Sequence, residues 1–397
     1  MKRNIGIMVW QLKGGGAERA VANLSRDLID NYNVFIFLFD ASNISYPYCG
    51  NIVDIKWKRE KNLVKRFISF FKHLRLIKKE IVKNKIELMI SFMQDSNRYN
   101  VLLKNKCKCI ISFRNMLSVS YPQGFSKKMV EYCSKKADMI VTLSEGVRND
   151  LLTYYSHING EKVVTIYNSC DPNWFFGEND DINKIISDFD FNFPIVSSAG
   201  RLTYQKGHWH LLRAFSLVLK KIPSCKLVIF GQGELLQDLK EYAARLGISD
   251  SVFFMGYVRN YHAFVKKCTA FVFPSLFEGL GNVQLEALAC DLPVISTDCD
   301  FGPREILDGY SSNKAEAIDF AKYGILVKPF SYKCFDLRDL EFEESDYYLS
   351  EAIEKVVLDK TVNDYYKKQA AVRKSFFYPD NIKGKWLSLI EGVLNDK

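Results

Sequence analysis

Two glutamates, Glu278 and Glu286, bracket a glycine turn and the start of an apolar-faced helical pattern in Phe277-Glu278-Gly279-Leu280-Gly281-Asn282-Val283-Gln284-Leu285-Glu286-Ala287-Leu288-Ala289. Carboxylates placed this way accept hydrogen bonds from a polyol, or they cap a helix and face solvent. Upstream, Arg201 and Lys206 follow the end of an apolar run and flank a turn that leads into another helical pattern. Two cations beside the N–H groups of a helix start suit a pyrophosphate. A third stretch, Lys13-Gly14-Gly15-Gly16-Ala17-Glu18-Arg19, again lies between a strand pattern and a helix pattern. Its glycines let backbone approach a phosphate or sugar closely, but the spacing is not G-x-G-x-x-G, so the dinucleotide fingerprint is not met.

These side chains need strands and helices to hold them. Ala270–Ser275 and Leu292–Thr297 are apolar runs on either side of the glutamate segment, which makes it a βαβ unit whose turn presents backbone N–H groups. Helical side chains lean toward the N-terminus, so Glu286 in the second turn and Glu278 at the mouth could address one ligand. Further strand patterns fall at 5–10, 34–40, 87–92, 108–113, 138–143 and 163–168, alternating with helical ones. That alternation predicts a doubly wound half over residues 1–170. Arg114-Asn115 follows one of those strands at the carboxyl edge, where open α/β sheets bind ligands. Ser144 is placed to cap a helix. The stretch from Asp171 to about Asn192 is acidic, poor in periodic apolar residues, and expected to be a linker. A second α/β set follows, with strands at 194–199, 226–230 and 252–255 before the glutamate unit. The chain ends in an amphipathic helix through Ile382, Trp386, Leu389, Ile390 and Val393.

A length of 397 residues favours two domains, and 48% hydrophobic with 25% charged residues is ordinary for a soluble globular protein. The ten cysteines show no metal-site spacing and no C-x-x-C, so they read as small core residues of a reduced, cytosolic protein. The first apolar run stops at Gln11, too short for a signal sequence, and no 18-residue apolar span occurs. The net charge of +9 is concentrated: from Lys56 to Lys85 there are twelve Lys/Arg against Glu60 and Glu80, so the remainder is close to neutral. Within it Leu63, Phe67, Phe70, Phe71, Leu74, Ile77 and Ile81 recur at helical spacing, interleaved with Lys65, Arg66, Lys72, Arg75, Lys79 and Lys83. This is the pattern of a helix on an anionic membrane surface, or of one that covers its own sheet while its lysines stay in water. Nucleic acid would suit the charge, but no reader motif accompanies it.

Taken in order, the Gly-rich β1 turn, Gly-Arg-Leu-x4-Lys-Gly, Gly-x-Gly-Glu, Phe-Met-Gly, Pro-Ser-x2-Glu-Gly, Leu-Glu-Ala-Leu-Ala and Pro-Val-Ile-Ser-Thr-Asp-Cys-Asp-Phe-Gly-Pro-Arg-Glu-Ile resemble the family 4 retaining glycosyltransferases. The likeness runs through nearly the whole chain, and the segments Thr297-Asp298 and Gly302–Leu307 look most like bacterial members that build O-antigen, capsule or lipopolysaccharide core. The resemblance implies a GT-B architecture of two Rossmann-like doubly wound α/β domains facing a cleft. One would span 1–175 on the acceptor side, joined by the terminal helix at about 380–397. The other, at 193–378, would bind the nucleotide sugar. It further implies that Arg201 and Lys206 hold the donor diphosphate, that Glu278 bonds donor-sugar hydroxyls, and that Glu286 bonds the ribose. Backbone at Gly281, Asn282 and Val283 would meet sugar and phosphate, Val258 would lie against the base, Gly15 and Gly16 would close over the diphosphate, and Arg114-Asn115 would face the acceptor.

The implied reaction moves a hexose or N-acetylhexosamine from a nucleotide sugar, UDP favoured, to an acceptor that is either a saccharide or a glycan carried on a polyprenyl diphosphate. The implied place is the cytoplasmic side of the plasma membrane, with 56–85 on the anionic surface. Many relatives have His-Asp where Arg114-Asn115 stands, so no catalytic histidine carries over. Asp291 replaces a common Gly and tolerates the left-handed conformation of a helix exit. Asp298-Cys299-Asp300 imitates the D-x-D metal site of the other glycosyltransferase fold, and Asp188-Phe189-Asp190 repeats the spacing in the linker. With Arg201 and Lys206 as counter-charge, no metal and no other cofactor is expected. Competing readings are a nucleotide-sugar epimerase or sugar phosphorylase of the same fold, and a non-catalytic scaffold at the membrane surface.

Overall fold

The computed structural model describes residues 2–57, 62–155, 157–171, 180–309, 313–331 and 340–396. The chain divides into two compact units, Met1–Ser169 with Pro379–Lys397, and Cys170–Tyr378. In the first, seven strands form one parallel sheet: β1 (Asn4–Val9), β2 (Asn33–Leu38), β3 (Asn51–Asp54), β4 (Leu88–Phe92), β5 (Lys108–Phe113), β6 (Met139–Thr142) and β7 (Val163–Thr165), in the order β3-β2-β1-β4-β5-β6-β7. Strands buried on both faces read as continuous apolar runs, and five of the six residues of β1 are buried. β3 is short and only half-buried at an edge, which is why its apolar pattern is faint.

Helices cover both faces of this sheet. On one side the helix Gly16–Leu28 packs with the terminal helix Pro379–Asn395, whose Ile382, Trp386, Ile390 and Val393 join Ile7, Leu24, Leu28 and Phe92 in one core. Each such side chain contributes about 1.5–3 kcal/mol on burial, enough to hold the last helix to the first unit. On the other side Ile77 and Ile81 of the helix Leu63–Lys83 pack with Phe37, Phe39, Met89 and Tyr99. Residues 58–61 of the basic stretch, and the Leu63 side chain, lie outside the described residues.

The second unit repeats the plan. Its strands are β8 (Ile195–Ala199), β9 (Lys226–Phe230), β10 (Val252–Gly256), β11 (Ala270–Phe273), β12 (Val294–Thr297), β13 (Ile318–Phe320) and β14 (Ile325–Val327). They lie in the order β10-β9-β8-β11-β12-β14-β13, parallel except for β13, which runs antiparallel to β14. The stretch expected to be a linker carries a helix, Asp180–Asp188, with Ile182 buried. Ile182, Ile185 and Ile186 sit at helical spacing, so the acidic composition hid a short apolar face. Phe189, inside the second D-x-D lookalike, packs edge-on against Phe253 and Phe264. Residues 172–179 lie outside the described residues.

In each sheet the strand order reverses beside one strand, β1 in the first unit and β8 in the second. The loops that leave those strands diverge from their neighbours and open a crevice at the carboxyl edge. In the second sheet the relevant loops are Gly200–Gly207 after β8 and Pro274–Gly281 after β11. These are the two segments that carry Arg201, Lys206 and Glu278.

Candidate active site

The two loops of the second unit are tied by backbone before any side chain is considered. Leu276 N–H donates to the Gln205 carbonyl at 2.9 Å, and the Gln205 amide donates to the Phe277 carbonyl at 2.9 Å. Gly207 sits at φ 58°, and a Cβ there would stand 2.3 Å from the Pro274 carbonyl oxygen. Only glycine permits this approach, which sets Lys206 opposite Glu278.

The Lys206 ammonium donates to Glu278 Oε1, and Ser275 Oγ donates to the same oxygen at 3.0 Å. The lysine stem covers Gly200, and its nitrogen lies 5.1 Å from the centre of the Phe273 ring. Both side chains are largely withdrawn from water, with 14% of Lys206 and 9% of Glu278 accessible. Arg201, on the same loop, is exposed. The crevice thus holds one committed cation–carboxylate pair and one exposed cation.

The helix Asn282–Ala289 starts at Gly281, which adopts φ 88°, a conformation L side chains rarely take. The first N–H groups of a helix have no acceptor within it, so Asn282 and Val283 stand at the end that favours an anion. Glu286 falls in the second turn and is buried. Its Oε2 accepts from the Tyr261 hydroxyl at 2.5 Å and lies 2.7 Å from His262 Nε2. Val258 is in the turn between β10 and that tyrosine–histidine pair, half-buried. Asp291 takes φ 58° at the helix exit, the left-handed conformation expected there, and pairs with Lys374 at 2.5 Å.

Gly15, Gly16, Arg114 and Asn115 belong to the first unit, at the carboxyl edge of its own sheet. Gly15 precedes the first turn of the helix Gly16–Leu28. Arg114 donates to Asn168 Oδ1 at 2.8 Å and stacks 4.5 Å over Phe92. Burial pushes its guanidinium down to about 9, so it is still a cation at neutral pH. Asn115 donates to Ser120 Oγ at 2.8 Å. Ser144 caps its helix as expected, accepting from Val147 N–H at 3.2 Å.

The D-x-D lookalike has other work. Asp298 is fully buried, and its Oδ2 accepts from Arg304 Nη2 at 2.7 Å, from Arg304 Nε at 2.9 Å and from Ala315 N–H at 2.7 Å. Burial alone would lower Arg304, but its bonds to Asp298 and Asp319 outweigh that and hold it above the usual range. Asp300 pairs instead with Lys314 at 2.8 Å. Its carbonyl accepts from Glu278 N–H at 3.3 Å, so this loop backs the glutamate.

The side chains around the glutamates were only partly visible in the sequence. Ser275 lies inside a recognisable Pro-Ser-x2-Glu-Gly run, whereas Tyr261 and His262 precede Glu286 by 25 and 24 residues with no repeating pattern. Cysteines behave as core: among the nine described, eight are buried and Cys49 is half-buried.

Two doubly wound units, the second with cations and carboxylates at its switch point, define a GT-B glycosyltransferase. Residues 14–174 match the model of Glycosyltransferase Family 4, and residues 180–329 match that of Glycosyl transferases group 1. An uncharacterized glycosyltransferase of Methanocaldococcus jannaschii is 32% identical over 91% of this chain and 95% of its own length. The N-acetylgalactosamine-N,N'-diacetylbacillosaminyl-diphospho-undecaprenol 4-alpha-N-acetylgalactosaminyltransferase of Campylobacter jejuni is 30% identical over 77% of this chain and 83% of its own. The crystal structure of Anabaena HepE in complex with UDP and glucose superposes with a TM-score of 0.77, covering 98% of this chain and all of that one, at 16% identity. The chain belongs to this family of glycosyltransferases, and the enzyme is a transferase of sugars. Among the described residues no helix is long and apolar enough to cross a membrane.

Proposed function

We propose that the enzyme transfers a hexose or N-acetylhexosamine, with retention of anomeric configuration, from UDP-sugar to a saccharide carried on a polyprenyl diphosphate. The observation that carries this reading is the Lys206–Glu278 pair at the switch point, with Arg201 exposed on the lysine's loop and the helix Asn282–Ala289 starting directly after the glutamate's loop. Arg201, Lys206 and the backbone at Gly281, Asn282 and Val283 take the diphosphate. Glu278 takes hydroxyls of the transferred sugar, Glu286 the ribose and Val258 the base. Arg114 and Asn115, at the carboxyl edge of the first unit's own sheet, take the acceptor. The Campylobacter relative, whose name specifies an undecaprenyl-diphosphate-linked acceptor and an N-acetylgalactosaminyl group, supports the acceptor class.

The bond that breaks joins the anomeric carbon to the β-phosphate oxygen, and charge develops on the departing diphosphate. Arg201 and the helix N–H groups stabilise that charge, joined by Lys206 once the diphosphate has drawn it from Glu278. The acceptor hydroxyl attacks from the face the diphosphate leaves, and its proton passes to the leaving phosphate oxygen. The basic helix would rest on an anionic membrane, where such acceptors reside. No metal is assigned a part.

A panel of nucleotide sugars read by saturation-transfer NMR names base and sugar together, and NMR of the product then gives the anomer. Binding of a UDP-sugar and an α-product from an α-donor are expected. An inverted product would end the retention assignment. Release of an epimerised free sugar without acceptor would make the enzyme an epimerase.

A further inference from the structure

Glu286 is gripped on one oxygen. Tyr261 donates its hydroxyl to Oε2 at 2.5 Å, and His262 Nε2 stands 2.7 Å from the same atom. A carboxylate only accepts, so Nε2 carries the proton in this contact. His262 is 1% exposed and Glu286 5%, so the contact is screened little by water. The two donors are themselves held. The Tyr261 ring packs 5.2 Å from Phe230 and 4.1 Å from His262, and Cys290 Sγ donates to the His262 carbonyl at 3.7 Å. The terminal torsion of a glutamate is broad, so an ungripped carboxylate would sample many planes. Two donors on one oxygen select one.

We propose that Tyr261 and His262 are positioning residues for ribose recognition. They hold the Glu286 carboxylate in the plane that accepts from ribose hydroxyls, and so set a preference for ribonucleotide over deoxyribonucleotide donors. The proposal rests on the assignment of Glu286 to the ribose made above. Chain order adds to it: Val258, assigned to the base, is three residues before Tyr261. One short segment between β10 and β11 therefore links recognition of base and sugar. A site built to bond hydroxyls rejects the analogue that lacks them more strongly than an apolar pocket rejects an added group.

The test measures dissociation constants of the full-length enzyme for UDP, 2′-deoxy-UDP and 3′-deoxy-UDP by calorimetry. Wild type, Glu286→Gln, Tyr261→Phe, His262→Leu and His262→Gln are compared, with thermal midpoints for each. Wild type is expected to prefer UDP over at least one deoxy analogue by roughly ten-fold, the scale of one charged hydrogen bond. Tyr261→Phe and His262→Leu should each narrow that ratio to about three-fold or less. His262→Gln keeps an N–H donor and should recover most of the preference. In transfer assays KM for the donor should rise while kcat stays within about two-fold, as for a group acting on binding. If Glu286→Gln narrows the ratio and the Tyr261 and His262 variants do not, the positioning proposal is overturned and the ribose assignment stands. If Glu286→Gln leaves the ratio unchanged, or wild type shows no preference, both are overturned. Equal weakening toward all three nucleotides with a lowered midpoint would reduce Tyr261 and His262 to packing, and overturn the proposal as well.

Discussion

Lys206 and Glu278, 72 residues apart in the chain, form an ion pair between the loop after β8 and the loop after β11. Each is the partner that makes the other's burial tolerable. Removing one member of a buried pair typically costs about 3–5 kcal/mol, because the other charge is left uncompensated. Lys206→Met should therefore lower stability by about 3 kcal/mol, and adding Glu278→Gln should return part of the loss. Urea unfolding of the two single variants and the double variant checks this. Strictly additive losses would mean that the contact does not couple the two loops. A diphosphate entering the crevice would compete with Glu278 for Lys206, so the lysine variant should also lose donor binding.

Arg201 gives the opposite combination. It is exposed, and substitutions at exposed sites usually change stability by about 0.5 kcal/mol or less. Its proposed partner is charge that grows in the transition state, where losing one such group lowers turnover by roughly 10²–10³. Arg201→Ala should thus keep the wild-type melting curve and lose transfer. Near-normal kcat/KM in a nucleotide-release assay would remove Arg201 from the diphosphate site.

Asp298 should behave as a structural anion. Three donors converge on its Oδ2, and Arg304 goes on from there to Asp319 Oδ2 at 2.8 Å. Asp298→Asn is expected to destabilise the protein by about 1–3 kcal/mol, since it removes the buried charge on which three donors converge while Arg304 keeps Asp319 and Asp308. Transfer by the wild type should persist in excess EDTA. Activity lost in EDTA and restored only by Mn or Mg would instead return Asp298 and Asp300 to a metal site.

What could be read in advance follows from the range of the interactions involved. The repeated strand–helix alternation is local, and it was enough to foresee two doubly wound sheets. The left-handed turn at Asp291 was likewise legible, because conformational preference at a helix exit belongs to one residue. Glu278, Glu286, Arg201 and Lys206 stood out as chemistry-bearing types in glycine turns. Their pairing did not, since nothing in the spacing said that Lys206 would rest on Glu278 or that His262 would hold Glu286. Elements with weak periodicity were also missed: β3 at an edge, β13 and β14 with three residues each, and the helices Glu344–Leu358 and Lys360–Lys374. The helix Asp180–Asp188 was hidden by its charges, with only three isoleucines to mark its inner face.

His208 predicts a pH dependence of stability. It opens the helix His208–Lys221, is 1% exposed, and neither ring nitrogen has a hydrogen-bond partner. Burial, aided by the nearby Lys206 charge, pushes it down to about 3 from an ordinary value of 6.5. Below about pH 6.5 the unfolded chain binds this proton while the folded one does not. The contribution is therefore complete above pH 6.5 and is lost as pH falls toward 3, by about 1.4 kcal/mol per unit. His208→Leu removes it, so wild type minus variant should fall between pH 7 and pH 5 in urea titrations. A constant difference across that range would show that His208 takes up its proton as readily in the fold as in the unfolded chain.

The helix Leu63–Lys83 offers a surface that its own sheet does not use. Ile77 and Ile81 are buried beneath it, whereas Val64, Phe67 and Ile68 are more than 60% exposed and Phe71 is 43% exposed. Exposed Lys65, Arg66 and Lys72 lie among them, and exposed Lys79 follows about two turns further along the helix. A sheet-covering helix accounts for the first pair and not for the apolar groups in water. Each Lys or Arg near an anionic bilayer contributes about 1 kcal/mol, an effect that falls off within a Debye length. Changing those four to Gln should then weaken partition onto vesicles containing phosphatidylglycerol by roughly 10²–10³ at low salt. Phe67→Ser with Ile68→Ser should weaken it at high salt too, where screening has already removed most of the charge term. Sedimentation of vesicles with each variant separates the two contributions. Binding that neither set alters would leave the helix as a cover for its sheet, with its lysines merely solvated.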